Sequence, residues 1–285
     1  MKIKLLGKNL EELKKVVADE GLPGFTAKQI AQWLYVKKVR SIDEMTNLSK
    51  AARAALNEKY EVGLVEYAGL QISSDGTKKY LFPVKCSHRR GLNVSCSGGC
   101  SEEELESSAV EAVMIPDDDR ATLCVSSQAG CKMGCKFCMT GRQGFHGHMS
   151  AADIISQFIA VDESDRLTNA VFMGMGEPLD NYENVMRTIE ILTADWGFAW
   201  SPKRITLSTI GVLPNLKRYL DECKCHLAVS LHDPFGPERQ TMMPVQGAWP
   251  IQDVINLIKQ YDFTGQRRVS FEYTMFAGFN DSKNH

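Results

Sequence analysis

The 285-residue sequence has no apolar run near the ~18 residues that a membrane-crossing helix needs. It also has no leader pattern. The opening MKIKLLGKNLEELKKVV contains no long apolar core and no cleavage site, and it reads as mature, cytoplasmic sequence without a membrane partner. Charge of one sign is missing too: 33 Lys and Arg nearly balance 35 Asp and Glu, for a net charge of -2. Bulk charge therefore argues neither for nor against nucleic acid. Nor can the cysteines all pair, because there are nine, at 86, 96, 100, 124, 131, 135, 138, 223 and 225. An odd count without a secretion signal argues for reduced thiols with chemical work and against a disulfide scaffold.

What is present fits a globular protein long enough for a large core and more than one domain, with 44% hydrophobic and 24% charged residues. Basic residues cluster locally at Lys37, Lys38 and Arg40; at Lys78 and Lys79; at Lys85, Arg89 and Arg90; at Lys203 and Arg204; and at Arg267 and Arg268. Such clusters are more often solvated surface than phosphate sites.

Three stretches differ in pattern. Residues 1–62 read as a small helical module. Thr26 with Gln29 fits a capping box before Ile30, Trp33 and Leu34, Ser41 with Glu44 is a second box, and LSKAARAALNEKY is rich in helix formers. Residues 63–108 hold two strand-like runs, LVEYAGLQI and KKYLFPV, around the turn signal SDGT, followed by a polar Cys-containing loop. In that loop Cys86, His88, Cys96 and Cys100 offer a C-x-H-x7-C-x3-C set, read chiefly as surface insertion and secondarily as a small zinc site. From Ala109 strands alternate with helices: ATLCVSS, NAVFMGMG, RITLSTIG, HLAVSLH and RRVSFEYTMF, separated by four helical runs, one of them capped by Ser150 and Asp153. This alternation predicts an α/β fold, a parallel (β/α) sheet with right-handed crossovers, over 109–285.

Parallel barrels carry their functional groups at the C-terminal ends of the strands. That rule selects Cys131, Cys135 and Cys138 after the first strand, Gly174, Gly176 and Glu177 after the second, Ser208 on the third, and Ser230 and His232 on the fourth. Three thiolates spaced C-x3-C-x2-C suit an iron–sulfur cluster with one iron left open. The alternatives are a zinc ion with Cys124, His146 or His148 as fourth ligand, or three small core residues. The glycines of MGMGEP would let a ligand approach the backbone, and Glu177 would hold an ammonium group by charge.

Together CKMGCKFC and MGMGEP resemble the radical S-adenosylmethionine (SAM) enzymes. TLCVSSQAGCKMGCKFCMTGRQGF, VFMGMGEPLDNYENV, ITLSTIGVLP, LAVSLHDP and FEYTMFAGFNDS are similar, in order, to the dual-specificity 23S rRNA and tRNA adenine-C2 methyltransferases. The resemblance implies a partial (β/α) barrel with an N-terminal helical accessory domain, a candidate for RNA binding. It implies a [4Fe-4S] cluster on Cys131, Cys135 and Cys138, with SAM on its open iron and on Gly176, Glu177, Ser208, Ser230, Leu231 and His232. Phe137 would either flank the adenine or simply pack.

It further implies that Glu111 is a general base and that Cys124 releases product from a covalent intermediate. The reaction would proceed through a methylated cysteine and a radical generated from a second SAM. The implied partners are 23S rRNA, tRNA and a flavodoxin-type electron donor, with the chain a monomer. In the family the methyl-bearing cysteine and a SAM-contacting asparagine follow the block that matches 279–285. The resemblance therefore implies a C-terminally shortened chain, with an open sheet edge, that holds a cluster but does not transfer methyl. Two other readings are methylation at adenine C8 and a non-catalytic RNA-binding protein.

Overall fold

The computed structural model describes residues 2–84, 109–265 and 267–285. The metal option at Cys86, His88, Cys96 and Cys100 lies outside the described residues, as do Lys85, Arg89 and Arg90.

The N-terminal module begins with strand β1 (Ile3–Lys4) and helix α1 (Leu10–Asp19), which starts from a full capping box on Asn9 and Glu12. Helix α2 (Thr26–Ala31) runs on into a π-helical turn over Gln32–Val36. The expected Thr26–Gln29 box is absent. Phe25 holds the cap position without a side-chain hydrogen bond, and Thr26 is itself buried, so packing sets this helix start. The Ser41–Glu44 box does form, on a short 3-10 turn at Ile42–Glu44. Helix α3 (Lys50–Lys59) follows Ser49, whose hydroxyl caps it. Strand β2 (Tyr60–Glu61) then pairs parallel with β1, a closure that the helical pattern gave no sign of.

Next come β3 (Gly69–Ile72), β4 (Lys78–Pro83), β5 (Ala109–Asp117) and β6 (Arg120–Cys124), an antiparallel series. After β6 the chain makes a small ribbon, β7 (Gln128–Gly130) with β8 (Phe145–His148), around the short helix α4 (Met139–Arg142). Then α5 (Ala151–Ala160), β9 (Asn169–Phe172), α6 (Tyr182–Thr193), β10 (Ile205–Thr209), α7 (Leu213–Glu222) and β11 (His226–Ser230) alternate. Helices α8 (Gly236–Met242) and α9 (Ile251–Ile258) lead to β12 (Val269–Glu272). The Ser150–Asp153 capping box is present at α5.

All the strands from β3 to β6 and from β9 to β12 form one eight-stranded sheet in the order β12-β11-β10-β9-β6-β5-β4-β3. Its parallel part, β6 to β12, is the predicted five-strand series. The hairpin β3–β4 extends the same sheet through β5 rather than standing apart from it.

Register sorts the side chains. Pairs Leu123↔Ala170, Leu207↔Phe172, Leu207↔Leu227 and Leu227↔Val269 put one set on the helix-covered face. Leu123, Ala170, Leu207 and Leu227 are completely buried there. Because strand side chains alternate, their neighbours line the other face. The N-terminal module docks along α5, from its N-terminus to the loop that follows it. A side chain at Gly7 would strike Ala152 N at 2.4 Å, Lys4 Nζ pairs with Asp153 at 3.1 Å, and Lys38 Nζ donates to Ser164 O and Asp165.

Candidate active site

The second face of the sheet collects most of the polar residues picked out in the sequence. The pair Val113↔Cys124 places Glu111, two residues from Val113, on the face of Cys124. Cys124↔Val171, Thr206↔Val171 and Ser208↔Ala228 carry that face to Ser208 and Ser230. Ser230↔Glu272 then adds Glu272, which the sequence reading did not select. Five strands thus present Glu111, Cys124, Ser208, Ser230 and Glu272 to one side.

Glu272 binds this row together. Its Oε2 accepts the hydroxyl of Ser208 at 2.9 Å and that of Ser230 at 2.9 Å. Its carbonyl accepts the N–H groups of Leu231 and His232, each at 3.1 Å. His232 has a left-handed backbone, φ 56°, and its Nδ1 accepts from Thr274 N at 3.1 Å. Asn280, also buried, donates to the carbonyls of His232 at 2.6 Å and Thr274 at 2.9 Å. Arg239 is wholly buried and uses its guanidinium on the carbonyls of Leu231 and Ser230, both at 2.9 Å, and on Gln246. Burial lowers its pKa to about 10. Glu272 stood at a strand end and could have been found by the rule used for the serines. Arg239 and Asn280 act from loops and a helix, where no periodicity marks them.

The three-cysteine loop is folded tightly over this mouth. Gly130 has φ 71°, and a side chain there would meet the carbonyl of Gly144 at 1.9 Å, the same carbonyl that accepts from Cys131 N at 2.8 Å. Lys136 N donates to Met242 O at 2.9 Å, which ties the loop to α8. All three cysteines are half-buried. Burial pushes Cys135 up to about 12, with the charges of Cys131 and Cys138 adding to it, and pushes Cys131 up to about 11.

These thiols feel one another, yet they do not converge on a single-ion site. Among the described residues, the one trio of ligand atoms lying within 4.8 Å of each other is Asp233, Glu238 and His285. Thiolates around one tetrahedral zinc at 2.3 Å would stand about 3.8 Å apart. His146 instead meets Gln143 O, and His148 meets Gln128. The donor set fits a group wider than one ion, bound by thiolates. The six described cysteines form no disulfide.

The glycines of MGMGEP are closely packed on the side where a side chain would stand. A side chain at Gly174 would meet Val125 O at 2.6 Å, and one at Gly176, φ 102°, would meet Gln128 Cβ at 2.5 Å. The glycines make room for the chain after β6, where Gln128 in turn accepts from Glu177 N at 2.8 Å. The Glu177 carboxylate is buried and accepts from Thr209 Oγ1 at 2.6 Å, Leu179 N at 3.0 Å and Ile210 N at 3.0 Å. A carboxylate has about four lone-pair positions, so three are already used inside the protein. Its side chain braces the loop between β9 and α6 against the end of β10.

Comparison with known proteins decides the family. Residues 125–284 match the Radical SAM superfamily, and residues 3–62 match the Ribosomal RNA large subunit methyltransferase N-terminal domain. The chain is 53% identical over 284 residues to a probable dual-specificity RNA methyltransferase RlmN of Parabacteroides distasonis, covering all of this chain and 77% of the relative. It is 36% identical over 288 residues to the dual-specificity RNA methyltransferase RlmN of Syntrophus aciditrophicus, again with 77% of that protein covered. A crystal structure of a radical SAM methyltransferase from Sphaerobacter thermophilus superposes with a TM-score of 0.84 at 34% identity, over 99% of this chain and 79% of that one.

The chain belongs to the RlmN family of radical SAM methyltransferases. Members of this family use a [4Fe-4S] cluster and SAM. Elsewhere in the methyltransferase, Phe137 stacks edge-on to His232 at 5.1 Å and lies 5.5 Å from Phe276. It lines an apolar cleft of about 260 Å³ with Met242, Phe276 and Phe279. Glu111 is half-exposed at the rim and paired with Lys79 at 3.0 Å. Burial raises Cys124 to about 11. Cys223 and Cys225 are buried just before β11, at the end of the sheet away from the mouth. Among the described residues, no helix is long and apolar enough to cross a membrane.

Proposed function

We propose that this chain acts in methylation of adenine C2 in 23S rRNA and tRNA, with Cys131, Cys135 and Cys138 holding the cluster and with SAM seated against Ser208, Ser230, Leu231, His232 and the Gly176–Glu177 turn. The carrying observation is the shared face. Sheet register alone aligns Glu111, Cys124, Ser208 and Ser230 on one side, and the thiol loop follows directly from the strand that holds Cys124. When bound there, the cluster and SAM supply one-electron chemistry that transfer of a methyl cation to an electron-poor adenine carbon lacks.

The protein's own groups then have distinct tasks. The serines, Leu231 and His232 orient the cofactor. Cys124, a thiol that burial keeps protonated at neutral pH, is read as the group that helps release product. Glu111 reaches the same side from β5 as proton acceptor, steadied by Lys79. The N-terminal module, matched to the family's N-terminal domain, is read as the RNA-binding part. An external one-electron donor of the flavodoxin type completes the set of partners.

The test is anaerobic reconstitution followed by methyl transfer from labelled SAM to 23S rRNA and tRNA. The reading expects about four irons per chain, SAM binding that disappears in Cys135→Ala, and any transferred label at adenine C2. Label at C8, or a single zinc in place of iron, would sink it. RNA binding that ignores both SAM and the triple Cys→Ala change would favour a binding protein instead.

A further inference from the structure

We propose that Glu272 is the positioning residue of the SAM site: it fixes Ser208 and Ser230 as hydrogen-bond acceptors, so that the ligand edge facing them must carry donors. The inference rests on the reading of this mouth as the SAM site and adds a residue to it.

The argument is one of proton counting. A serine hydroxyl has one hydrogen to give, and a carboxylate oxygen only accepts. Ser208 and Ser230 both point their hydroxyls at the same atom, Glu272 Oε2, at 2.9 Å each. Each therefore spends its single proton inside the protein and keeps only lone pairs for a ligand. Among the groups of SAM, the ribose hydroxyls and the ammonium are donors and match such a pair. The carboxylate of SAM does not.

The same residue also holds the next two positions. Its carbonyl accepts from both Leu231 N and His232 N at 3.1 Å, which carries the β11–β12 ladder one step past the end of the strand. Glu272 thus joins the ends of β10, β11 and β12 through its side chain and its backbone together. Its carboxylate is half-buried, so its hydrogen bonds to the serines are shielded from water without being sealed from the mouth.

The experiment measures the SAM dissociation constant of the anaerobically reconstituted chain by equilibrium dialysis, with iron content and far-UV circular dichroism as checks on each variant. Glu272→Ala should weaken SAM about tenfold or more, the size expected for loss of charge-assisted hydrogen bonds. Glu272→Gln keeps an oxygen able to accept both hydroxyls and should stay within about threefold of the parent. In a Ser208→Ala/Ser230→Ala background, Glu272→Ala should add less than about twofold, because its partners are gone.

A merely structural role would show the full effect in either background, and that additive result overturns the proposal. So does unchanged affinity in Glu272→Ala, or a loss in Glu272→Gln as large as in Glu272→Ala. Should Glu272→Ala fail to fold, Glu272→Gln and the serine double variant carry the test, and a serine double variant with parental affinity overturns it. Failure of the parent to bind SAM at all is a separate outcome, which removes the SAM reading itself along with this inference.

Discussion

Leu207 and Ser208 are neighbours in β10 and belong to different chemistries. Leu207 is completely buried on the helix-covered face, opposite Phe172 and Leu227. Ser208 points to the other face, where its hydroxyl meets Glu272. The same contrast recurs in two other parallel strands: Leu123 against Cys124 and Val229 against Ser230. One face excludes water and supplies stability. The other is lined with groups whose polarity is useful only if something binds there. A period of two thus separates the folding problem from the chemical one within single strands, and substitutions can be chosen to disturb one without the other.

The largest effect should come from the loop above the polar face. Cys135→Ala removes a thiol whose burial, with the charges of Cys131 and Cys138 beside it, holds its proton on in the metal-free protein. Iron and sulfide retained after desalting should fall to background, while far-UV circular dichroism stays parental. A variant that keeps its iron would show that the cluster does not need this thiol.

The helix-covered face should respond in the opposite sense. Leu207→Ala deletes a fully buried side chain between two strands and should cost about 2–5 kcal/mol in urea unfolding. Its effect on iron retention in whatever fraction remains folded should be small. A cost under about 1 kcal/mol would mean that the two faces are less distinct than the burial pattern implies.

Glu177 tests the seam between the faces, being a polar group buried as deeply as the core. Burial raises its carboxyl to about 7 from an ordinary 4.5, against hydrogen bonds from Thr209, Ile210 and Leu179 that pull it down. A folded pKa above the unfolded one means that the folded state binds the proton more tightly. Its contribution is therefore complete below pH 4.5, declines as pH rises, and levels off above about pH 7. The span corresponds to about 3 kcal/mol. Urea unfolding of the metal-free chain between pH 4.5 and 7.5 should show this decline, and Glu177→Gln should flatten it while lowering stability overall, since its amide cannot accept from Ile210 N. A parental slope in Glu177→Gln would assign the pH dependence elsewhere.

Much of this arrangement was legible in the sequence because the strands are short and strictly alternating. ATLCVSS, NAVFMGMG, RITLSTIG, HLAVSLH and RRVSFEYTMF all became strands of the parallel series, and the rule of strand ends led to Ser208, Ser230 and the cysteine loop. What the pattern did not show has a shared physical cause. The side of Gly174 and Gly176 where a Cβ would stand is filled by Val125 and Gln128, residues distant in sequence. The Glu177 carboxylate accepts from Thr209, Ile210 and Leu179, and no local pattern marks the first two as its partners. The Thr26 cap was displaced by packing, and β1–β2 pairing joins residues nearly 60 apart. Local pattern announces an element and the side a residue faces. It does not announce which neighbour arrives from another part of the chain to use up a hydrogen bond or a missing Cβ.

The smallest expected effect is also the one that separates the faces most cleanly. Ser208→Ala changes one atom next to Leu207 and removes a single hydrogen bond to Glu272 Oε2, which keeps its bond from Ser230. The lost hydrogen bond should cost about 1 kcal/mol, and the carboxylate is left with a remaining partner and not stranded. Urea unfolding should therefore place Ser208→Ala well above Leu207→Ala in stability, although the two residues are adjacent and Ser208 is itself only 8% exposed. If Ser208→Ala proved as destabilising as Leu207→Ala, the polar face would have to be counted as part of the core. Its hydroxyls would then be explained by folding, with no ligand needed to account for them.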